Sequence, residues 1–169
     1  MQYAHTEWLR RFYYLRSMNL VWKLKDWNEL SKEELYEVLA LRVRVFVIEQ
    51  NCPYQDVDGK DLKSLHLFAE DETGKCVACL RLVKPGVSYE EWSIGRVATD
   101  LSVRTSGVGK ELMRRGMAFF DTVGNPPVRI SAQSYLKEFY ENFGFKQVSE
   151  EYLEDDIPHI EMLYTLQNI

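Results

Sequence analysis

The stretch VRTSGVGKEL, residues 103–112, concentrates chemistry in a few positions. Gly107 and Gly109 lie one residue apart, Arg104 and Lys110 flank them, and an apolar helical rhythm begins at once afterwards. Glycine has no Cβ, so the main chain can close on a ligand there. A helix starting at this point aims free amides and the positive end of its dipole at the same spot, worth about 0.3–1 kcal/mol for a negative group. The expectation is a seat for phosphate or pyrophosphate. Two nucleotide motifs do not fit. A P-loop would put a glycine at Arg104 and a hydroxyl residue at Glu111, and a dinucleotide fingerprint would put a small residue at Leu112.

The loop needs a strand before it and a helix after it, and the flanking sequence supplies both. WSIGRVAT (92–99) reads as the strand, and residues 108–122 as a helix with Val108, Leu112 and Phe119 inward and Met113 and Phe120 on its flank. Upstream, NLVWKLK alternates as a strand. SKEELYEVLALRVRVFVIEQ opens with Ser31 and Glu34, a capping box, and then follows helical spacing. Residues 51–64 form a charged polar loop. HLFAE and CVACLRLV pair as a hairpin through DETGK. VRISA is a strand, and LKEFYENFGF is a helix with Leu136, Phe139, Tyr140 and Phe143 on one face, ended by Gly144. KQVSEEYL and HIEMLYTL close the chain as strands. This order predicts a mixed α/β domain with too many adjacent strands for a purely parallel sheet.

Composition narrows the function. The chain has 169 residues, 46% of them hydrophobic and 13% aromatic, which suits one domain with a proper core. The net charge of −5 argues against nucleic-acid binding, which uses a basic face. No apolar run approaches the ~20 residues needed to cross a membrane. Three cysteines set no disulfide framework, and a reducing, cytoplasmic setting fits them. Cys76 and Cys79 form a CxxC, but on a strand an offset of three should send the thiols to opposite faces as two core residues. No metal site is expected. Residues 1–18 are rich in arginine and aromatics and read as a helical extension, packed on the domain or on a partner chain. Met18 could serve as an alternative start, and residues 19–169 form the single domain.

RTSGVGKELM matches the R/Q-x-x-G-x-G pattern of the GNAT-superfamily N-acyltransferases, and FYENFGF resembles the second signature of that family. LRVRVFVIEQNCPYQDVDGKD, AQSYLKEFYENFGF and EDDIPHIEMLY resemble its ElaA-type branch, in the same order along the chain. The resemblance covers about residues 19–166. It implies a largely antiparallel sheet of six to seven strands, splayed at the cofactor site, with helices on both faces. It implies acetyl-CoA as donor, a small-molecule or peptide primary amine as acceptor, and direct attack with no acyl-enzyme. Carried over by position, Val97, Ala98 and Thr99 run along the pantetheine, with the Val97 amide at the thioester oxygen. Thr105, Ser106, Gly107, Val108, Gly109 and Lys110 hold the pyrophosphate, and Arg104 fills the first motif position. Gln133 stands where the family usually has a cofactor-binding Asn. Phe139 and Tyr140 lie on the cofactor side, with Tyr140 as the acid for the departing thiolate.

The amine must lose a proton, since a lysine-like ammonium has a pKa near 10.4. Many relatives use a glutamate on the fourth strand, where this chain has Ser93. Glu49, His66 and His159 are the remaining candidates for the base. Each also has a plain structural role open to it: Glu49 bonding loop backbone, His66 at a strand end, His159 orienting the loop before it. Carboxylates at 51–64 and 153–158 would draw in a cationic amine if they line the cleft. A non-catalytic acyl-CoA-binding sensor or interaction module is the alternative function, and a homodimer is compatible with either.

Overall fold

The computed structural model describes residues 19–166. Eight strands form one sheet. β1 (Val21–Asp26), β2 (Ser64–Glu70), β3 (Cys76–Val83) and β4 (Trp92–Thr99) are antiparallel neighbours. β5 (Val128–Gln133) lies beside β4 in parallel, and β8 (Ile157–Tyr164) returns antiparallel to β5. The short strands β6 (Lys146–Gln147) and β7 (Tyr152–Glu154) both pair with β8. The expected six to seven strands are thus eight, because the C-terminal KQVSEEYL stretch divides into two short strands.

Helices cover both faces. α1 (Lys32–Arg42) begins at Ser31, whose hydroxyl accepts from the Glu34 amide while the Glu34 carboxylate accepts from the Ser31 amide. Val38 and Leu41 then pack on Phe68, Cys76, Cys79 and Ala98. α1 continues into a π-helical segment, Val43–Glu49, a widened turn that often marks a functional position. On the opposite face lies α2 (Val108–Thr122), with Val108, Leu112, Met113 and Phe120 fully buried against β2, β3 and β4. α3 (Lys137–Glu141) packs beside it through Tyr140, and Gly144 at φ 86° ends the turn that follows.

The two thiols do not point apart. Ala69 pairs with Ala78 and Glu70 with Cys76, so Val77 is an extra residue in β3. That bulge resets the alternation and brings Cys76 and Cys79 together under α1. The Cys79 thiol and burial push the Cys76 thiol far up, which makes it an inert core group.

The charged loop of residues 51–63 folds its aspartates onto the domain. Asp56 and Asp61 are 4% and 3% exposed and grip Arg42 of α1, at 2.8 Å and 2.7 Å. Asp58 and Asp61 hold Arg81 of β3, at 2.7 Å and 3.1 Å. Burial pushes both Asp58 and Asp61 up, but the hydrogen bonds and charges of these arginines outweigh it and hold both below the usual carboxylate range.

Candidate active site

The site begins where β4 and β5 part. Trp92 pairs with Val128 and Ser93 with Arg129, and the ladder ends there. From Ile94 onward the two parallel strands diverge, leaving a wedge with main-chain groups along its walls. β4 is also irregular at this height. Arg81 pairs with Gly95 and Cys79 with Ala98, so Arg96 and Val97 together face Leu80. Arg96 takes φ 54°, a left-handed conformation that costs a side-chain-bearing residue roughly 1–2 kcal/mol.

The glycine loop follows. Thr105 at φ 64° and Gly107 at φ 97° turn the chain, and Gly107 caps α2 without any side-chain bond to the first amides. Those amides are therefore free for a ligand. Ser106 is buried and donates to the Val103 carbonyl, which fixes the turn. Lys110 is exposed beside it. A groove of about 630 Å³ opens there, lined by Trp22, Gly107, Val108, Lys110, Asn142 and Phe143. A Cβ at Gly109 would meet only Thr99 Cγ2 at 3.7 Å, so this glycine serves access and the fold does not require it.

Arg104 turns away from this seat. Its Nε and Nη2 donate to the Thr99 carbonyl at 3.0 Å and 2.9 Å, and Nη2 lies 2.6 Å from Glu49 Oε2. The motif arginine ties the end of β4 to the π-helical segment, and the Glu49 carboxylate is taken up by the same ion pair. Next to it, Gln133 Nε2 donates to Gln50 Oε1 at 3.0 Å, bridging β5 to the residue after that segment.

Tyr140 is 6% exposed, packed edge-on against Phe139 and Phe145. Among the described residues its hydroxyl has no side-chain hydrogen-bond partner. Burial, and secondarily Tyr135, push its pKa well above that of a free phenol, so it is a proton donor at neutral pH. Ser134, which the sequence does not single out, places at the end of β5 a buried hydroxyl that has no partner among the described residues. Only its position next to Gln133 could have drawn attention to it. A buried orphan hydroxyl, an uncapped helix start and a splayed strand pair suit an extended ligand with an anionic end.

The face of β5 and β8 opposite α3 is polar. Arg129, Ser131 and Gln133 are half-buried there, while Val128, Ile130 and Ala132 fill the core side. His159 pairs with Gln133, and its ring stacks on Tyr152 with centroids 6.2 Å apart. His159 Nδ1 lies 2.8 Å from the Ile157 carbonyl. A carbonyl only accepts, so Nδ1 is the donor in this contact. Ser131 donates to Glu154 and accepts from Tyr152, both at 2.7 Å. Cys52 reaches the Asp155 carbonyl at 3.7 Å, joining the loop after the π-helical segment to the β7–β8 turn.

His66 is elsewhere. It lies on β2, with β3 between it and β4, and is 2% exposed. Burial lowers its pKa, and Nε2 is 3.1 Å from the Asp61 carbonyl. The fold sets Gln133 beside His159 on neighbouring strands at the polar face of β5 and β8, holds Tyr140 in the core layer on the other face, and buries His66 on β2. Among the described residues no cluster suits a metal ion, and no helix is long and apolar enough to cross a membrane.

Residues 28–166 match the model of the acetyltransferase (GNAT) domain. Protein ElaA of Escherichia coli is 41% identical over 144 residues, 83% of this chain and 94% of ElaA. A UPF0039 protein of Synechocystis is 39% identical over 148 residues, 87% of this chain and 96% of that protein. Among solved structures, an acyl-CoA N-acyltransferase from Pseudomonas aeruginosa superposes with a TM-score of 0.82 at 43% identity, over 87% of this chain and 100% of that one. E. coli ElaA superposes at 0.80, with 39% identity over 86% and 99%. A splayed β4–β5 pair feeding a glycine loop, matched along almost the whole domain, makes this chain a member of the GNAT acetyltransferase family, on its ElaA-type branch.

Proposed function

We propose that the protein moves an acetyl group from acetyl-CoA to a primary amine by direct attack. The observation that carries this reading is the wedge between β4 and β5, which leads into the glycine loop and the uncapped start of α2. The free amides of the α2 start, with Lys110, receive the pyrophosphate. The edge of β4 at Val97, Ala98 and Thr99 bonds the extended arm, and the Val97 amide meets the thioester oxygen. Such a donor is often the largest single catalytic contribution.

The amine approaches over the polar β5–β8 face. The amine attacks in its neutral form, and His159 Nε2 takes the one proton its nitrogen sheds, directly or through a water, and returns it through solvent to Tyr140 once the thiolate is protonated. The new C–N bond forms, the C–S bond breaks, and the thiolate receives the Tyr140 proton. Glu49 is committed to Arg104 and His66 lies outside the site, which leaves His159 as the base.

The test is thiol release from acetyl-CoA with a panel of primary amines, with mass spectrometry of the product. Amine-dependent release with the acetyl group on nitrogen is expected. Tight CoA binding without turnover on any amine would overturn the reading in favour of a sensor.

A further inference from the structure

Arg96 occupies an unfavourable place for an arginine. It is the bulged residue of β4, at φ 54°, immediately before Val97. Something must hold it there, since left-handed backbone persists in a side-chain-bearing residue only where the surroundings over-determine it. Its side chain shows what does. Nη2 donates to the Asp56 carbonyl at 3.1 Å and to Asp58 Oδ2 at 3.4 Å. Nε lies 2.8 Å from Asp56 Oδ1, a charge contact and not an aligned hydrogen bond. The guanidinium also lies over the Tyr54 ring, 5.4 Å from its centroid, and the Tyr54 hydroxyl donates to Asp56 Oδ1 at 2.9 Å.

These aspartates are themselves fixed. Asp56 is bonded to Arg42 of α1 and Asp58 to Arg81 of β3. The main chain at the bulge is held from inside as well, because the Cys79 thiol approaches the Arg96 carbonyl at 3.7 Å. The loop of residues 51–63 thus acts as a strut between α1, the middle of the sheet and the irregular point of β4.

We propose that Arg96 is a positioning residue: clamped by Asp56, Asp58 and the Tyr54 ring, it pins the β4 bulge that aims the Val97 amide into the wedge between β4 and β5. The inference rests on the acetyl-transfer reading of that wedge. It assigns to the acidic loop the upkeep of a catalytic main-chain donor, a role separate from attracting the acceptor. A donor held rigidly in place needs no reorganisation during the reaction, and most of its effect depends on that.

The experiment compares Arg96→Ala, Arg96→Lys and Tyr54→Leu with the unaltered full chain. Hydrogen exchange and the amide resonance of Val97 are followed by NMR without ligand, and kcat, KM and CoA affinity are measured alongside. In Arg96→Ala the Val97 amide should shift and exchange at least tenfold faster. Its kcat should fall at least tenfold, with CoA affinity within about threefold of the unaltered protein. Arg96→Lys keeps the charge but loses the fork, and should restore part of both effects. Tyr54→Leu leaves β4 unaltered, so it tests the clamp should Arg96→Ala fail to fold, and it should move the Val97 amide in the same direction. An unmoved Val97 amide in the folded variants would overturn the clamp. A loss of kcat matched by equal losses in CoA affinity and melting temperature would reduce Arg96 to a structural ion pair. Absence of acetyl transfer in the unaltered protein would sink the functional reading alone, because the Val97 amide still reports on the clamp.

Discussion

His159 and Glu49 start as equal candidates for the proton acceptor, and their hydrogen bonds separate them. Glu49 is drawn onto Arg104 at 2.6 Å, whereas His159 spends only its Nδ1 proton on the Ile157 carbonyl. His159→Gln retains a polar side chain of similar reach and cannot accept the amine proton. It should lower kcat/KM by roughly 10²–10⁴, with CoA affinity unchanged. An unchanged kcat/KM would assign the base elsewhere. At the loop, Gly109→Asp brings a carboxylate to the pyrophosphate seat, and its Cβ makes only an ordinary contact with Thr99. The variant should fold and bind CoA at least tenfold more weakly, about 1.4 kcal/mol, by calorimetry.

The elements were read from sequence where local chemistry sets them. The Ser31–Glu34 box fixes where α1 starts, the apolar rhythm gives α2 at residues 108–122, and Gly144 ends the turn after α3. Three features depended on long-range pairing and were not legible. The Val77 bulge moves Cys76 onto the same face as Cys79, a shift of one residue that periodicity does not carry. The sequence shows the acidic loop only as a charged polar loop, because its arginine partners lie on α1, β3 and β4, far off in sequence. Ser134 gave no signal, since an unpartnered hydroxyl is defined only by its surroundings. Glu34 connects capping to the sheet, reaching Lys23 and Lys25 at 2.8 Å and 2.7 Å. Burial pushes its pKa up, but the two lysines and the Ser31 amide outweigh that and bring it to about 2. Because the folded value lies below the unfolded one, this stabilisation is complete above the ordinary Glu pKa of about 4.3 and fades as pH falls toward 2. Thermal melts between those values should show a steeper acid loss in the unaltered protein than in Glu34→Gln. Equal slopes would deny the group this role.

Residues 19–166 supply the eight described strands of the sheet and a helical layer on each face. A chain beginning at Met18 should therefore fold with a melting temperature near that of the full chain and bind CoA equally well. Loss of folding on that truncation would place residues 1–17, which lie outside the described part, in the core. In the proposed reading the two reactants come from opposite sides of the sheet and meet at the wedge: the α2 start and Tyr140 share one layer, and the polar β5–β8 face with His159 lies on the other.

That meeting point depends most directly on Tyr140. Tyr140→Phe keeps the ring and its contacts with Phe139 and Phe145 and removes only the hydroxyl. The decisive measurement is the single-turnover rate of acetyl transfer to an amine in this variant, with CoA affinity measured in parallel. A rate lowered by roughly 10²–10⁴ at unchanged affinity is the predicted result, since a general acid contributes on that scale. Full transfer activity in the phenylalanine variant would contradict the mechanism.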